Sequence, residues 1–512
     1  MDAVSHLFQN MQFGFSVILS PANVMYCFTG CLVGTLVGVL PGIGPLATLS
    51  LLLPLTFKLP AVASIIMLTG IFYGAMYGGS KTSILVNIPG EAAAVVTCLD
   101  GHQMARLGRA GAALAIAAIG SFIAGTLSTI GLNLFSPILV AAALKIGPPE
   151  YFSIMMLSLV VCMYMVGGSM VKAVLTIALG IFFSCIGIDY VTGNRRFDFG
   201  SINLSQGFGL VPVFMGMFGV SELLITMEDI FIREFISGDK IRNLFPTIRD
   251  WAVSVMPILR GSLLGFAVGV LPGGTPTSAS FLSYAIEKRI SRYPEQFGRG
   301  AIEGVAGPES ANNSAVAASL VPLLSLGIPC NPTTALLVGA LIIHGVQPGP
   351  MLMAQHPDIF WGVICSMYLG NIMLLILNLP LVGVWVQFLR IPYKFLFPII
   401  FLLCVVGSYS ANLNIFDVWV MIGFGILGFL LRKRNYELGP FALALILGPL
   451  LEQSLRQSII MENMNLMIFF VRPISAILLA LAAALFVIFI LGEWKKKKRS
   501  SAILKEKEGI GT

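Results

Sequence analysis

The sequence predicts an all-α polytopic membrane protein, with about 10–14 transmembrane or re-entrant helices in two internal repeats that contain interrupted helices. Three observations carry that expectation. Of 512 residues, 57% are hydrophobic and 11% charged, with a mean hydropathy of +0.90. A soluble chain carries roughly a quarter charged residues, so water cannot be the only solvent of this exterior. The apolar stretches are continuous, as helices crossing roughly 30 Å of hydrocarbon require, rather than the short alternating segments of a barrel. Finally, a string rich in Gly and Pro occurs once in each half.

Taken in order, candidate membrane segments fall at 24–40, 46–57, 61–79, 110–144, 152–166, 170–188, 208–227 and 254–271. They continue at 276–286, 313–345, 359–388, 395–411, 415–431, 437–451 and 474–491. The charged stretch Glu228–Trp251 reads as a linker. The expected organisation is therefore a first repeat over 1–227, a linker over 228–253, a second repeat with C-terminal helices over 254–491, and a basic tail over 492–512. The N-terminus has no Lys or Arg before Lys58, so it lacks the basic start of a cleaved signal and reads as retained. Lys495–Arg499 after the last apolar segment, with Arg432, Lys433 and Arg434 earlier, predicts a cytoplasmic C-terminus.

The net charge of +7 lies largely in loops and tail, in no pattern that suggests nucleic acid. Eight Cys lie in or beside apolar stretches without a CxxC pair, and the four His (6, 102, 344, 356) have no ligand spacing. Cys27 and Cys31, one turn apart, read as small buried hydrophobes. Asp189 and Glu222 are expected at segment ends.

The repeated string is GTLVGVLPGIGP at Gly34–Pro45 and GFAVGVLPGGTP at Gly265–Pro276. A second echo follows in the same order, NIPG at Asn87–Gly90 and GIPC at Gly327–Cys330. Proline cannot continue a helical ladder and glycine permits sharp turns, so each Pro-Gly-x-x-Pro cluster interrupts a helix. Such backbone is tolerated at membrane depth only where protein or water covers it, and it points a half-helix N-terminus inward. Free amides and the positive dipole end there favour an anion. A proline kink needed only for packing is the competing reading; the paired occurrence favours binding at a repeat interface.

Polar side chains cluster near these breaks. YGGSKTS, Tyr77–Ser83, and ESANNS, Glu309–Ser314, stand beside apolar stretches. Asn331 suits a helix N-cap, Pro332 the first helical position, and Thr333 and Thr334 the first turn. Lys81 at membrane depth costs about 2.5–3.5 kcal/mol on insertion scales, so it needs a partner or a task. The task is neutralising a substrate carboxylate; the alternatives are a structural pair with Glu91 or snorkelling to an interface. The expected substrate and ion residues are Gly42, Gly44, Pro45, Ser80, Lys81, Thr82, Asn87, Gly273, Thr275, Thr277, Ser278, Asn312, Asn313, Ser314, Asn331 and Thr333. Sodium is expected near Asn312, Asn313 and Thr277.

At these residues the chain resembles the large membrane subunit of the tripartite tricarboxylate transporter family. The resemblance is carried by GTLVGVLPGIGP, YGGSKTSILVNIPGE and DGHQMARLGRAGAALAIAAIGSFIAGT, then by LPGGTPTSASFLSYAIEKR, FGRGAIEGVAGPESANNSA and SLGIPCNPTTALLVGALIIHGVQPGP. It covers most of Gly34–Gly125 and Gly261–Pro350. It implies a permease of the bacterial inner membrane that works with a small four-helix membrane subunit and a periplasmic solute-binding protein. Citrate-like carboxylates would be imported on an ion gradient, Na⁺ or H⁺, without ATP and without a cofactor. Energetics agree: each negative charge entering against an inside-negative potential costs about 2.3 kcal/mol per 100 mV, so a trianion faces roughly 7 kcal/mol. Co-transported cations must offset this, and no GxxxxGK[ST] string is present.

A passive organic-anion channel shares the half-helix logic but needs no tight site. A membrane-embedded enzyme needs clustered acids, His or an activated nucleophile, whereas the breaks here hold mostly Gly, Pro and hydroxyls. A structural scaffold would not need repeated breaks. The expectation is a carrier subunit, not an enzyme.

Overall fold

The computed structural model describes residues 2–40, 44–166, 169–189, 192–228, 245–388 and 393–509. The chain is helical almost throughout, its only sheet among these residues being a two-stranded ribbon. In order the first helices are α1 (Asp2–Ile18), α2 (Pro21–Gly38), α3 (Pro45–Leu52), α4 (Ala61–Val86), α5 (Val95–Arg106) and α6 (Ala110–Ala143). After α7 (Pro148–Val166) and α8 (Met170–Ser184), the strands Gly187–Ile188 and Arg195–Arg196 pair antiparallel, followed by α9 (Ile202–Ser205). α10 (Leu210–Phe214) and α11 (Ser221–Glu228) are joined by a π-turn stretch, Met215–Val220. Then come α12 (Ile248–Val270), α13 (Pro276–Ile290), α14 (Glu303–Leu326), α15 (Pro332–Ile343), α16 (Leu352–Gln355) and α17 (Pro357–Asn378). The last are α18 (Val382–Phe388), α19 (Tyr393–Asn412), α20 (Ile415–Lys433), α21 (Gly439–Met461), α22 (Ile468–Val471) and α23 (Pro473–Gly509).

Among the described residues nine helices are long and apolar enough to cross a membrane, and four shorter apolar helices accompany them. Their outer faces expose Ile138, Leu263 and Trp419, each at least 65% accessible, as a lipid-facing surface requires. The protein is a multi-pass, all-α membrane protein. Two compact units divide it: one of Met1–Leu144 with Phe208–Lys433, the other of Lys145–Gly207 with Arg434–Thr512. In the second, α21 packs on α7 and α8, and Gly180 of α8 lies directly on the backbone of Phe441. Ion pairs brace that unit: Arg472–Glu150, Arg456–Asp189 and Arg196–Glu452, each at 3.0 Å.

The first unit is built on two helix pairs in backbone contact. On α2, Gly30, Gly34 and Gly38 leave no room for a methyl group against the Met67, Ile71 and Ala75 carbonyls of α4. Gly70, Gly74 and Gly78 of α4 return the contact. Gly261, Gly265 and Gly269 of α12 meet Gly307, Ala311 and Ala315 of α14 in the same way. Small residues at every fourth position let helices close to van der Waals contact of their main chains, the device of packing in lipid. Both pairs run parallel, so α3 with the turn Leu53–Thr56, and α13, each bring the chain back between its partners.

Directions of the remaining helices follow from their contacts. Ser121 and Ser128 of α6 donate to Glu309 O and Ser314 O (3.4 and 2.8 Å), and Ser325 donates to Ser136 O (3.3 Å), so α6 is parallel to α14. Cys27 and Cys31 lie on the Ser366 and Gly370 carbonyls, making α17 parallel to α2. Gly125 packs on Asn371 while Asn133 reaches Tyr368, so α6 and α17 are antiparallel. Helices α2, α4 and α17 therefore run one way and α6, α12 and α14 the other. Ile84, Met104, Ala113, Ile116, Ile258, Val305 and Ala306 form an apolar core where α4, α5, α6, α12 and α14 converge.

Several boundaries differ from those read in the sequence. The polar strings Tyr77–Ser83 and Glu309–Ser314 lie inside continuous helices, α4 and α14, where Ser80, Thr82, Ser83, Glu309, Asn313 and Ser314 hydrogen-bond within the bundle. The stretch 313–345 is two helices, parted at Gly327 (φ 72°) and restarted at Asn331. α1 and α5 were missed, since His6, Gln9, Asn10 and Gln12 in one, and Asp100, His102 and Gln103 in the other, dilute their apolar character. Of the linker 228–253, residues 229–244 lie outside the described residues, and α12 begins at Ile248, behind a Thr247–Asp250 capping box.

Candidate functional site

In each half the second short motif packs where the helix before the Pro-Gly string ends. Gly90 of the NIPG turn packs on Gly79, Thr82 and Gly38, where α2 ends. Gly273 (φ 83°) donates its N–H to Cys330 O at 2.8 Å, and the Cys330 thiol lies on Val270 O. Asn87 (φ 56°) and Gly327 take the same left-handed conformation at the ends of α4 and α14, which frees the chain to fold back toward the break.

The end of α2 lies against Gly78 of α4, and Phe266, five residues before the second break begins at Leu271, packs at Gly131 and Phe135 of α6.

The residues expected at the site are distributed as follows. Gly42 lies outside the described residues. Gly44 and Pro45 form the N-cap and first residue of α3. Thr275 caps α13 by accepting the Ser278 N–H at 3.1 Å, and Thr277 and Ser278 are half-buried in its first turn. Asn331 caps α15, accepting the Thr334 N–H at 2.9 Å, with Thr333 buried beside it. Ser80, Lys81 and Thr82 are buried on α4, and Thr82 spends its hydroxyl on Gly79 O. Asn87 is exposed. Ser314 donates to Ser262 O at 2.5 Å, a bond that joins α14 to α12. Asn312 and Asn313 are fully buried, and no hydrogen bond among the described residues links either to Thr277.

Ser80, Lys81 and Asn313 are brought together. A pocket is lined by Tyr77, Ser80 and Lys81 of α4, Leu114, Ala117, Ala118 and Ser121 of α6, and Asn378 of α17. Lys81, 3% exposed, donates to Asn378 Oδ1 and to Tyr77 O (3.4 Å), and its ammonium lies 5.4 Å from the Trp385 ring centre. It therefore neither snorkels nor pairs with Glu91. Asn313 donates to Ser121 Oγ at 2.7 Å and to Glu309 O at 3.1 Å, fixing the α6–α14 contact behind the pocket. Behind Ser80 stands Glu309, fully buried, accepting from Ser80 (2.6 Å) and from Thr97 of α5. Tyr77 OH and both amide atoms of Asn312 are buried without a protein partner.

One ammonium, two hydroxyls with further hydrogen-bonding capacity, a carboxamide and an unpartnered phenol around one space can engage a carboxylate. They supply no paired acid and base at a nucleophile. Among the described residues no three His, Cys, Asp or Glu side chains cluster as metal ligands. Thr97, Ser121 and Asn378 were not singled out in the sequence, and Glu309 was named there only as the start of the ESANNS string. The small-residue face of α6, with Ser121, Gly125 and Ser128 pointing one way, was the available signal for Ser121.

The model of the tripartite tricarboxylate transporter TctA family matches residues 24–443. A protein of Agrobacterium vitis, described as an uncharacterised 52.8 kDa protein in the TAR-I ttuC′ 3′ region, is 49% identical over 498 residues, 97% of this chain and 98% of the relative. A second from the same organism, an uncharacterised protein in the TAR-II ttuC′ 3′ region, is 49% identical over 234 residues, 46% of this chain and 97% of the relative. No solved structure matches.

Proposed function

Because the chain belongs to the tripartite tricarboxylate transporter TctA family, we propose that it is the permease that moves citrate-like carboxylates across the bacterial inner membrane on an ion gradient. The observation that carries this is the buried pocket in which Lys81 meets Ser80, Ser121, Tyr77 and Asn378. An ammonium held at this depth is costly unless it serves an anion, and the groups it hydrogen-bonds, Tyr77 O and Asn378 Oδ1, are neutral. The solute arrives from a periplasmic binding protein, and a small four-helix membrane subunit completes the assembly. The C-terminus is cytoplasmic, which the basic stretch Lys495–Arg499 supports.

In this reading the two halves are inverted repeats, α2–α6 and α12–α17, with substrate held between them. The opposite directions of the two glycine-packed pairs support it, as does the recurrence of helix, break, return helix, helix and left-handed turn in each. The coupling ion is Na⁺ or H⁺, since a trianion cannot enter a negative interior unaided.

The test is uptake of labelled citrate into proteoliposomes holding the permease, the small subunit and the binding protein. Saturable uptake is expected, with Lys81→Gln reducing it by about tenfold or more while the protein stays assembled. Uptake that is unchanged in Lys81→Gln and in Asn378→Ala would remove this pocket from the pathway, and non-saturable uptake would make the protein a channel.

A further inference from the structure

Glu309 is the buried acid that the carboxylate pocket does not use. It is fully buried in α14, six residues from the start of that helix, and does not line the pocket. No ion pair joins it among the described residues. Its partners are two hydroxyls, Ser80 on one oxygen and Thr97 on the other. Ser80 also lines the pocket, so a single hydroxyl separates a bound substrate from this carboxyl.

The ionisable groups around it can be named element by element. α4 brings Lys81 and Tyr77, α5 brings Cys98, and the turn before α5 brings Glu91. α12 and α13 bring the Arg260–Glu287 pair, which is closed on itself at 2.6 Å beside Gly307. α6 presents hydroxyls there and no charge. Glu91, 8% exposed, rests on Gly79, the residue before Ser80, and its Oε1 has no partner. Two buried carboxyls thus flank the turn of α4 that carries one ammonium.

We propose that Glu309 carries the coupling proton of the transport cycle, making the protein a proton symporter; this rests on the carrier reading above. When a substrate carboxylate engages Lys81, that positive charge is committed to the ligand. A charged Glu309 one hydroxyl away then repels the substrate, and a protonated one does not. Substrate and proton therefore favour each other's binding, and by linkage the coupling is reciprocal. The hydroxyls of Ser80 and Thr97 donate to the carboxylate and can turn to accept from the acid, so the site suits either form. Glu309 takes up its proton from the side on which substrate enters and releases it on the other, after which the carboxyl is as it began.

The experiment uses the full assembly in proteoliposomes with labelled citrate, in two assays. The first is exchange against internal unlabelled citrate with no gradient. The second is accumulation under an imposed inside-alkaline pH gradient without Na⁺. Wild type should do both, and its uptake should make the external medium more alkaline. Glu309→Gln should keep exchange and lose accumulation by about tenfold or more, while Glu309→Asp accumulates. Accumulation by Glu309→Gln at the wild-type level would overturn the proposal. So would wild-type accumulation that needs a Na⁺ gradient or leaves external pH unchanged, results that hold even if the Gln variant does not fold. Absence of exchange in wild type would instead sink the carrier reading itself.

Discussion

Asp100 has no counterpart in the transport chemistry, yet it is fully buried. Its Oδ1 accepts the N–H groups of Gly298, Gly300 and Ala301, each at 2.8 Å, and its Oδ2 accepts the Tyr284 hydroxyl at 2.8 Å. The carboxylate thereby fixes the glycine-rich loop that leads into α14, and so the height at which Glu309 and Asn313 stand. Asp100→Leu leaves three amides without an acceptor, at about 1–3 kcal/mol for each buried group left unpaired. Thermal unfolding in detergent should show a large loss for Asp100→Leu and a smaller one for Asp100→Asn, which retains an acceptor oxygen. Equal stability of the Leu variant and wild type would refute the anchoring role. Lys81 could be read from sequence because a charge inside an apolar stretch stands out. Its partners could not, because Ser80 and Glu309 are 229 residues apart and Lys81 and Asn378 are 297 apart. Such contacts are set by helix packing and leave no local mark.

Among the helices, glycine does two different jobs. Gly265 is pressed on the Ala311 carbonyl of α14, whereas Gly423 on α20 faces open space. Gly265→Ala is therefore expected to lower the unfolding temperature, because backbone rather than a movable side chain would have to yield. Gly423→Ala should be neutral or stabilising by about 0.5–1 kcal/mol through helix propensity. The same melting assay decides between them, and similar shifts would show that the pairs are not packed this closely. Asn331→Ala should cost about 1 kcal/mol by removing the cap of α15. The Pro-Gly interruptions and the cap at Asn331 were legible, since proline, glycine and cap residues act on their own backbone. The continuity of α4 and α14 through their polar strings was not. Local composition marks such strings as boundaries, and only buried neighbours such as Thr97 and Ser121 make them tolerable inside a helix.

For the chain as a whole, the directions of the helices make a topological prediction. If the repeats are inverted, the exposed Lys58 after α3 and the exposed Arg292 after α13 lie on opposite sides of the membrane. Cysteines placed at 58 and 292 in a cysteine-free background should be labelled by an impermeant maleimide from opposite faces of oriented vesicles. Labelling of both from one face would rule out inversion. The sequence revealed a polytopic helical bundle through its hydropathy. It did not reveal that Lys145–Gly207 associates with Arg434–Thr512 as a unit of its own. That association rests on α21 against α8 and on ion pairs such as Arg456–Asp189, which join segments far apart in sequence.

The glycine-lined pairs also limit how such a machine can work. Where two main chains touch with no side chains between them, neither helix can slide or turn past the other without a collision of peptide groups. α2 with α4, and α12 with α14, must each travel as one stiff lever. Any opening to alternate sides is then left to the seams between levers.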